Sequence, residues 1–97
     1  MKLDMEQKLL DPKGNPFSDG ATVGVGLYAG LSQPQAEDGT ASVTDKMKLY
    51  RLTQRVAAGG VQEFSVEEIA ILQDRASKVL SIIAFGALND VLEGKSE

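Results

Sequence analysis

Residues 65–93 read SVEEIAILQDRASKVLSIIAFGALNDVLE, and this stretch decides the fold. Ser65-Val-Glu-Glu68 is a capping-box sequence: the Ser hydroxyl can accept from the amide three residues on, while the Glu carboxylate accepts from the Ser amide. A helix therefore starts at 65 or 66. From there Ile69, Leu72, Ala76, Val79, Leu80, Ile83 and Ala87 recur at helical spacing, with Glu67, Asp74 and Lys78 on the opposite face. The stripe predicts a core-facing C-terminal element over 65–93. It is either one helix or a pair broken at Ser81 or Gly86, it ends at Gly94, and its last few residues fray.

A second set, Ile82, Phe85, Leu88 and Leu92, forms another apolar face beside Ile83, Ala87 and Val91. A helix that is apolar on most sides needs cover on most sides, and a chain of 97 residues has few elements to supply it. Either both faces fold inward or the second meets another protein. We take Ile82, Phe85, Leu88 and Leu92 as the candidate protein interface, for a second copy or a different protein.

Upstream, the spacing predicts a central helix over 42–58, starting at Ser42 or Thr44 and stopped by Gly59-Gly60. Val43, Met47, Tyr50, Ala57 and Ala58 cluster on one side with Leu49, Leu52 and Val56 beside them, a wide arc that implies a largely buried helix. Lys48, Arg51 and Arg55 fall within about 60° of one another at 100° per residue. They form a basic stripe that is either a solvated face paired with nearby acids or a contact for an anionic partner, nucleic acid included. No aromatic or Asn/Gln set suited to reading bases accompanies it.

Residues 32–41 are polar, contain Pro34 and Asp38-Gly39, and read as a loop and the best site for mobility. Before it, Thr22 to Leu31 places Val23, Leu27, Tyr28 and Leu31 at helical spacing behind a Thr22 or Asp19 cap. Gly24, Gly26 and Gly30 each cost a helix interior roughly 1 kcal/mol, and Val23, Val25 and Leu27 also alternate, so helix and strand both stay open. The arm 1–20 reads as a short hairpin turning at Asp11-Pro-Lys-Gly-Asn-Pro16, with Phe17 as apolar anchor. Val61 to Phe64 is a candidate strand against it. The expected class is α+β, mainly α: a short N-terminal β-hairpin followed by three to four helices in one domain spanning 1–97.

Composition excludes much chemistry. Hydrophobic residues are 42% and charged residues 25%, which is the profile of a folded chain. There is no Cys and no His, which removes disulfides, thiolate and histidine nucleophile mechanisms and the usual zinc ligands. The glycines at 24, 26 and 30 match neither the dinucleotide nor the Walker spacing, and Glu37-Asp38 and Glu67-Glu68 lack the alternation of a calcium loop. We expect no catalytic, cofactor or metal site and no enzyme. No apolar run approaches the ~18 residues of a membrane span, so no membrane partner is expected.

Leu9-Leu-Asp-Pro-Lys-Gly-Asn-Pro16, then Lys46-Met-Lys-Leu-Tyr-Arg-Leu-Thr-Gln-Arg-Val56, then Phe64-Ser-Val-Glu-Glu-Ile-Ala-Ile-Leu72 follow an order that resembles a group of small tailed-phage and prophage proteins of no settled function. The resemblance spans most of residues 7–93 and carries over no catalytic residue. It implies a virus-encoded protein in the bacterial host cytoplasm, serving particle assembly or the control of a host machine through phage or host protein partners.

Overall fold

Two local devices start the longest helices. Ser42 Oγ accepts the Asp45 amide at 3.1 Å, and Ser65 and Glu68 exchange bonds of 3.1 and 2.8 Å in the predicted capping box. The computed structural model describes residues 1–94, so the expected fraying of the last few residues lies outside the described part. The order is β1 (Lys2–Asp4), α1 (Val23–Ser32), a 3-10 helix (Ala36–Thr40), α2 (Val43–Ala57), β2 (Val61–Glu63), α3 (Val66–Ser77) and α4 (Ile82–Leu92). This is the expected α+β, mainly helical class.

β1 and β2 pair antiparallel, with Leu3 opposite Gln62. The N-terminal arm thus supplies a strand to the predicted partner segment, but from residues 2–4. The turn at Asp11 forms where the Pro-Gly-Asn pattern puts it, held by Asp11 Oδ1 accepting from Lys13 and Asn15. It is closed by one bridge, Leu10 to Pro16. Phe17 packs against the core as expected.

Residues 23–32 resolve as helix. Thr22 Oγ1 accepts from Val25 at 3.2 Å, and Val23, Leu27 and Leu31 go inward. Each such fully buried side chain contributes about 1.5–3 kcal/mol of transfer free energy, enough to outweigh the glycines. The glycines also have a use. A Cβ on Gly30 would stand 2.8 Å from the Ala76 amide nitrogen and 2.9 Å from its Cα, so α1 and α3 touch backbone to backbone there.

The C-terminal element is a pair. The chain leaves the helix after Ser77 and restarts at Ile82, with Ser81 Oγ accepting from Ala84 at 3.2 Å. Gly86 sits inside α4 without a break, and a Cβ there would meet nothing within 4 Å. The break at Ser81 changes which residues face inward. Leu72 and Ala76 are core as predicted, but in α4 the buried set is Leu88, Val91 and Leu92, whereas Ile83 is exposed.

α2 departs furthest from its sequence reading. Of the wide arc expected to be buried, Leu52 and Val56 go into the core, but the rest faces outward: Val43 is 79% exposed, Met47 42% and Tyr50 53%. Both sides of the helix are apolar, and the core takes the Leu52–Val56 side.

Gly30→Ala should lower stability by about 2 kcal/mol, because only a shift of backbone can relieve the contact. Gly86→Ala should raise it by about 0.5–1 kcal/mol, since alanine is the better residue in an unobstructed helix interior. Urea midpoints of the two variants check the pair; a neutral Gly30→Ala would show that α1 and α3 separate freely.

Candidate interaction surface

Arg75 is the charged side chain on which this part of the molecule is built. It lies one position before the stripe residue Ala76, and it is 5% exposed. Its Nε donates to the Gly30 carbonyl at 3.0 Å, and Nη2 donates to the Leu31 and Gln33 carbonyls at 3.2 and 3.3 Å. These are acceptors at the end of α1 that have no partner further along the helix, and a cation there also opposes the helix dipole. Nη1 and Nη2 then grip both oxygens of Asp38, at 2.8 and 3.2 Å, a two-point pairing that fixes geometry as well as charge.

The segment read as a mobile loop is therefore tied down. Asp38 Oδ2 also accepts the Gln35 amide at 3.0 Å, and Gln35 Nε2 donates to the carbonyls of Gly30 and Arg75. Lys78 bonds Glu37 and lies 3.1 Å from Asp74. The Arg75 guanidinium, followed by the Gln35 amide, holds the Asp38 carboxyl down at about 2. The Lys78 ammonium lowers Glu37 in the same sense. Both are anions at neutral pH and are poor proton donors, so they suit binding rather than acid catalysis.

A groove of about 490 Å³ opens beside this junction, lined by Glu37, Asp38, Ala41, Asp45, Leu49, Ala70, Ile71, Asp74 and Arg75. Its lining joins the apolar Ala41, Leu49, Ala70 and Ile71 to four carboxylates. A second groove of about 430 Å³ lies across α1 and the end of α2, with Met5, Val25, Tyr28, Val56 and Ala57 among its walls.

The structure divides the basic stripe. Arg55 turns inward: it bonds Glu68 at 2.7 Å, meets the Glu63 carbonyl, and lies 4.5 Å over the ring of buried Phe64. Burial acts to raise the Glu68 carboxyl, but the Ser65 amide and Arg55 outweigh it and leave it below the usual range. Lys48 and Arg51 stay exposed, and among the described residues Arg51 bonds the neutral Gln54 side chain, at 3.1 Å.

The face proposed on the last helix is also divided. Leu88 and Leu92 are core, Phe85 packs partly against it, and Ile82 is 89% exposed. These four residues do not form one free surface, because the inward side of α4 runs through Leu88, Val91 and Leu92, with Leu88 against α1. Gly26 leaves the room there: a Cβ on it would lie 3.2 Å from Leu88. A free apolar surface on one helix face is the Val43, Met47 and Tyr50 ridge of α2; Val25 and Tyr28 on α1 and Ile82 and Ile83 on α4 are exposed too. Sequence reasoning named the ridge residues but placed them inside; it did not single out Arg75, although the wheel puts Arg75 about 60° from Leu72.

Among the described residues no group of acids is arranged to hold a metal ion, and no helix is long and apolar enough to cross a membrane. No family model, curated protein or solved structure matches the chain.

Arg75→Leu should cost about 3 kcal/mol, since Asp38 loses its counterion and the end of α1 its donors. Asp38→Asn isolates the charge. The folded carboxyl titrates near 2 and the unfolded one at about 3.9, so the pair's contribution is complete above pH ~4 and is lost as pH falls toward 2. The stability gap between wild type and Asp38→Asn should be widest at pH 7 and close across that window. Urea titrations at pH 7 and pH 2.5 read it, and a gap independent of pH would mean that the contact is not electrostatic.

Proposed function

We propose that this chain is a non-catalytic protein-binding module that associates with copies of itself. The observation that carries the reading is the exposed line Val43, Met47 and Tyr50 on a helix whose other side is already in the core. Such a surface is costly to leave in water unless something covers it. Ile82, beside partly buried Phe85, adds a smaller exposed apolar point at the start of α4. The resemblance of its sequence pattern to small tailed-phage and prophage proteins is the ground for proposing an assembly or accessory role in the bacterial host cytoplasm.

The rival reading is a regulator that binds nucleic acid through the basic stripe. Tyr50, exposed between Lys48 and Arg51 in sequence, favours it as a surface on which a base could stack. Against it, Arg55 is spent on Glu68 and Phe64, and the chain as a whole carries a net charge of −4.

Light scattering over a concentration series, at low and high salt, separates the two. Self-association that grows with concentration and survives high salt in part supports the module. A strict monomer that retains an oligonucleotide at low salt and releases it steeply with added salt supports the regulator.

A further inference from the structure

The α2 ridge and the acidic groove are complementary in kind. The ridge is Val43, Met47 and Tyr50, flanked by the exposed bases Lys48 and Arg51. The groove is lined by Leu49, Ala70 and Ile71 and by four carboxylates and one guanidinium. One of those carboxylates, Asp38, is matched by Arg75, and a single Lys78 serves both Glu37 and Asp74. Asp45 makes no ion pair among the described residues, and Lys46 adds only a long-range pull on Asp38. The groove therefore stays negative where the ridge is positive.

We propose that copies of this chain associate head to tail, the Val43–Met47–Tyr50 ridge of one seating in the Glu37–Asp45–Asp74 groove of the next. The inference rests on the self-association reading and adds which surfaces meet. Ridge against ridge would bring Lys48 and Arg51 of two copies together, and groove against groove would oppose carboxylates, so both symmetric pairings carry like-charge repulsion. Ridge against groove opposes unlike charges and covers apolar side chains on both partners. The charges set register and partner choice, while the apolar contact supplies the affinity.

The two surfaces also lie on different sides of one helix. At 100° per residue, Asp45 and Leu49 fall roughly 100–160° round from Val43, Met47 and Tyr50. One contact thus leaves each pair of copies with a free ridge and a free groove, so assembly continues into a ring or a filament rather than stopping at a dimer.

The test uses two full-length variants. Met47→Glu/Tyr50→Glu removes the ridge and keeps the groove; Asp45→Lys/Asp74→Lys reverses the groove and keeps the ridge. All four positions are exposed, and circular dichroism melts check that each variant folds. If either fails to fold, Lys48→Glu/Arg51→Glu replaces the ridge variant and Asp45→Lys alone replaces the groove variant. Sedimentation velocity should show each variant monomeric at concentrations where the wild type assembles, and an equimolar mixture should give a one-to-one dimer and nothing larger. Wild-type assembly that either variant retains, or folded variants that stay monomeric when mixed, overturns the head-to-tail contact and leaves self-association standing. A wild type that is monomeric throughout overturns both.

Discussion

The structure depends on the meeting of α1 and α3 at Gly30 and Arg75. Gly30 lets the two backbones come within a distance that a side chain would forbid, and only at that distance can Arg75 reach past its own helix to the carbonyls that end α1. A buried guanidinium is expensive to desolvate unless most of its N–H groups find acceptors and its charge finds a partner. Here the helix end supplies the acceptors and Asp38 the charge. The close approach and the buried cation are therefore one constraint, because neither is tolerable without the other.

That junction also orders the connection from α1 to α2. Asp38 belongs to the 3-10 helix between them, so Arg75 holds this connection and with it the start of α2. The cap Ser42 and residues 43–48 of α2 are then exposed throughout. One edge of the groove is the 3-10 helix itself, and the other is α3, which carries Arg75. The surface that bears the acids is thus built from the same contact that fixes the fold.

What could be read from the sequence was local. The caps at Thr22, Ser42 and Ser65 and the turn at Asp11 involve residues two to four apart, and spacing alone reveals them. The pairing of Lys2–Asp4 with Val61–Glu63 joins distant segments, and only the strand character of 61–64 shows in the local pattern. Arg75 was hidden because a cation near an apolar stripe usually extends its head to solvent; its partners Gly30 and Asp38 are remote in sequence, and the 32–41 segment looked too polar to be anchored. The last-helix face Ile82, Phe85, Leu88 and Leu92 lies wholly within α4, and local spacing could not show that the core would take its Leu88–Leu92 end together with Val91 and leave Ile82, in the first turn, outside.

That α2 buries only part of its apolar surface has a more general cause. Periodicity measures how apolar each face of a helix is, and α2 has two apolar faces of similar strength: Val43, Met47, Tyr50 and Ala57 on one, Leu49, Leu52 and Val56 on the other. Which face enters the core depends on what the rest of the chain brings to it. Leu52 and Val56 lie toward the end of α2, where the chain turns back through Gly59-Gly60 to pair β2 with β1. Arg55, about 60° from Leu52 on the same wheel, is drawn down over Phe64 and onto Glu68 at the start of α3. With Arg55 committed there, α2 cannot rotate to bury Met47 and Tyr50 without breaking a cation–ring contact and an ion pair together. The basic stripe and the apolar ridge are thus linked: the pairing that removes Arg55 from the stripe is what holds the ridge facing outward.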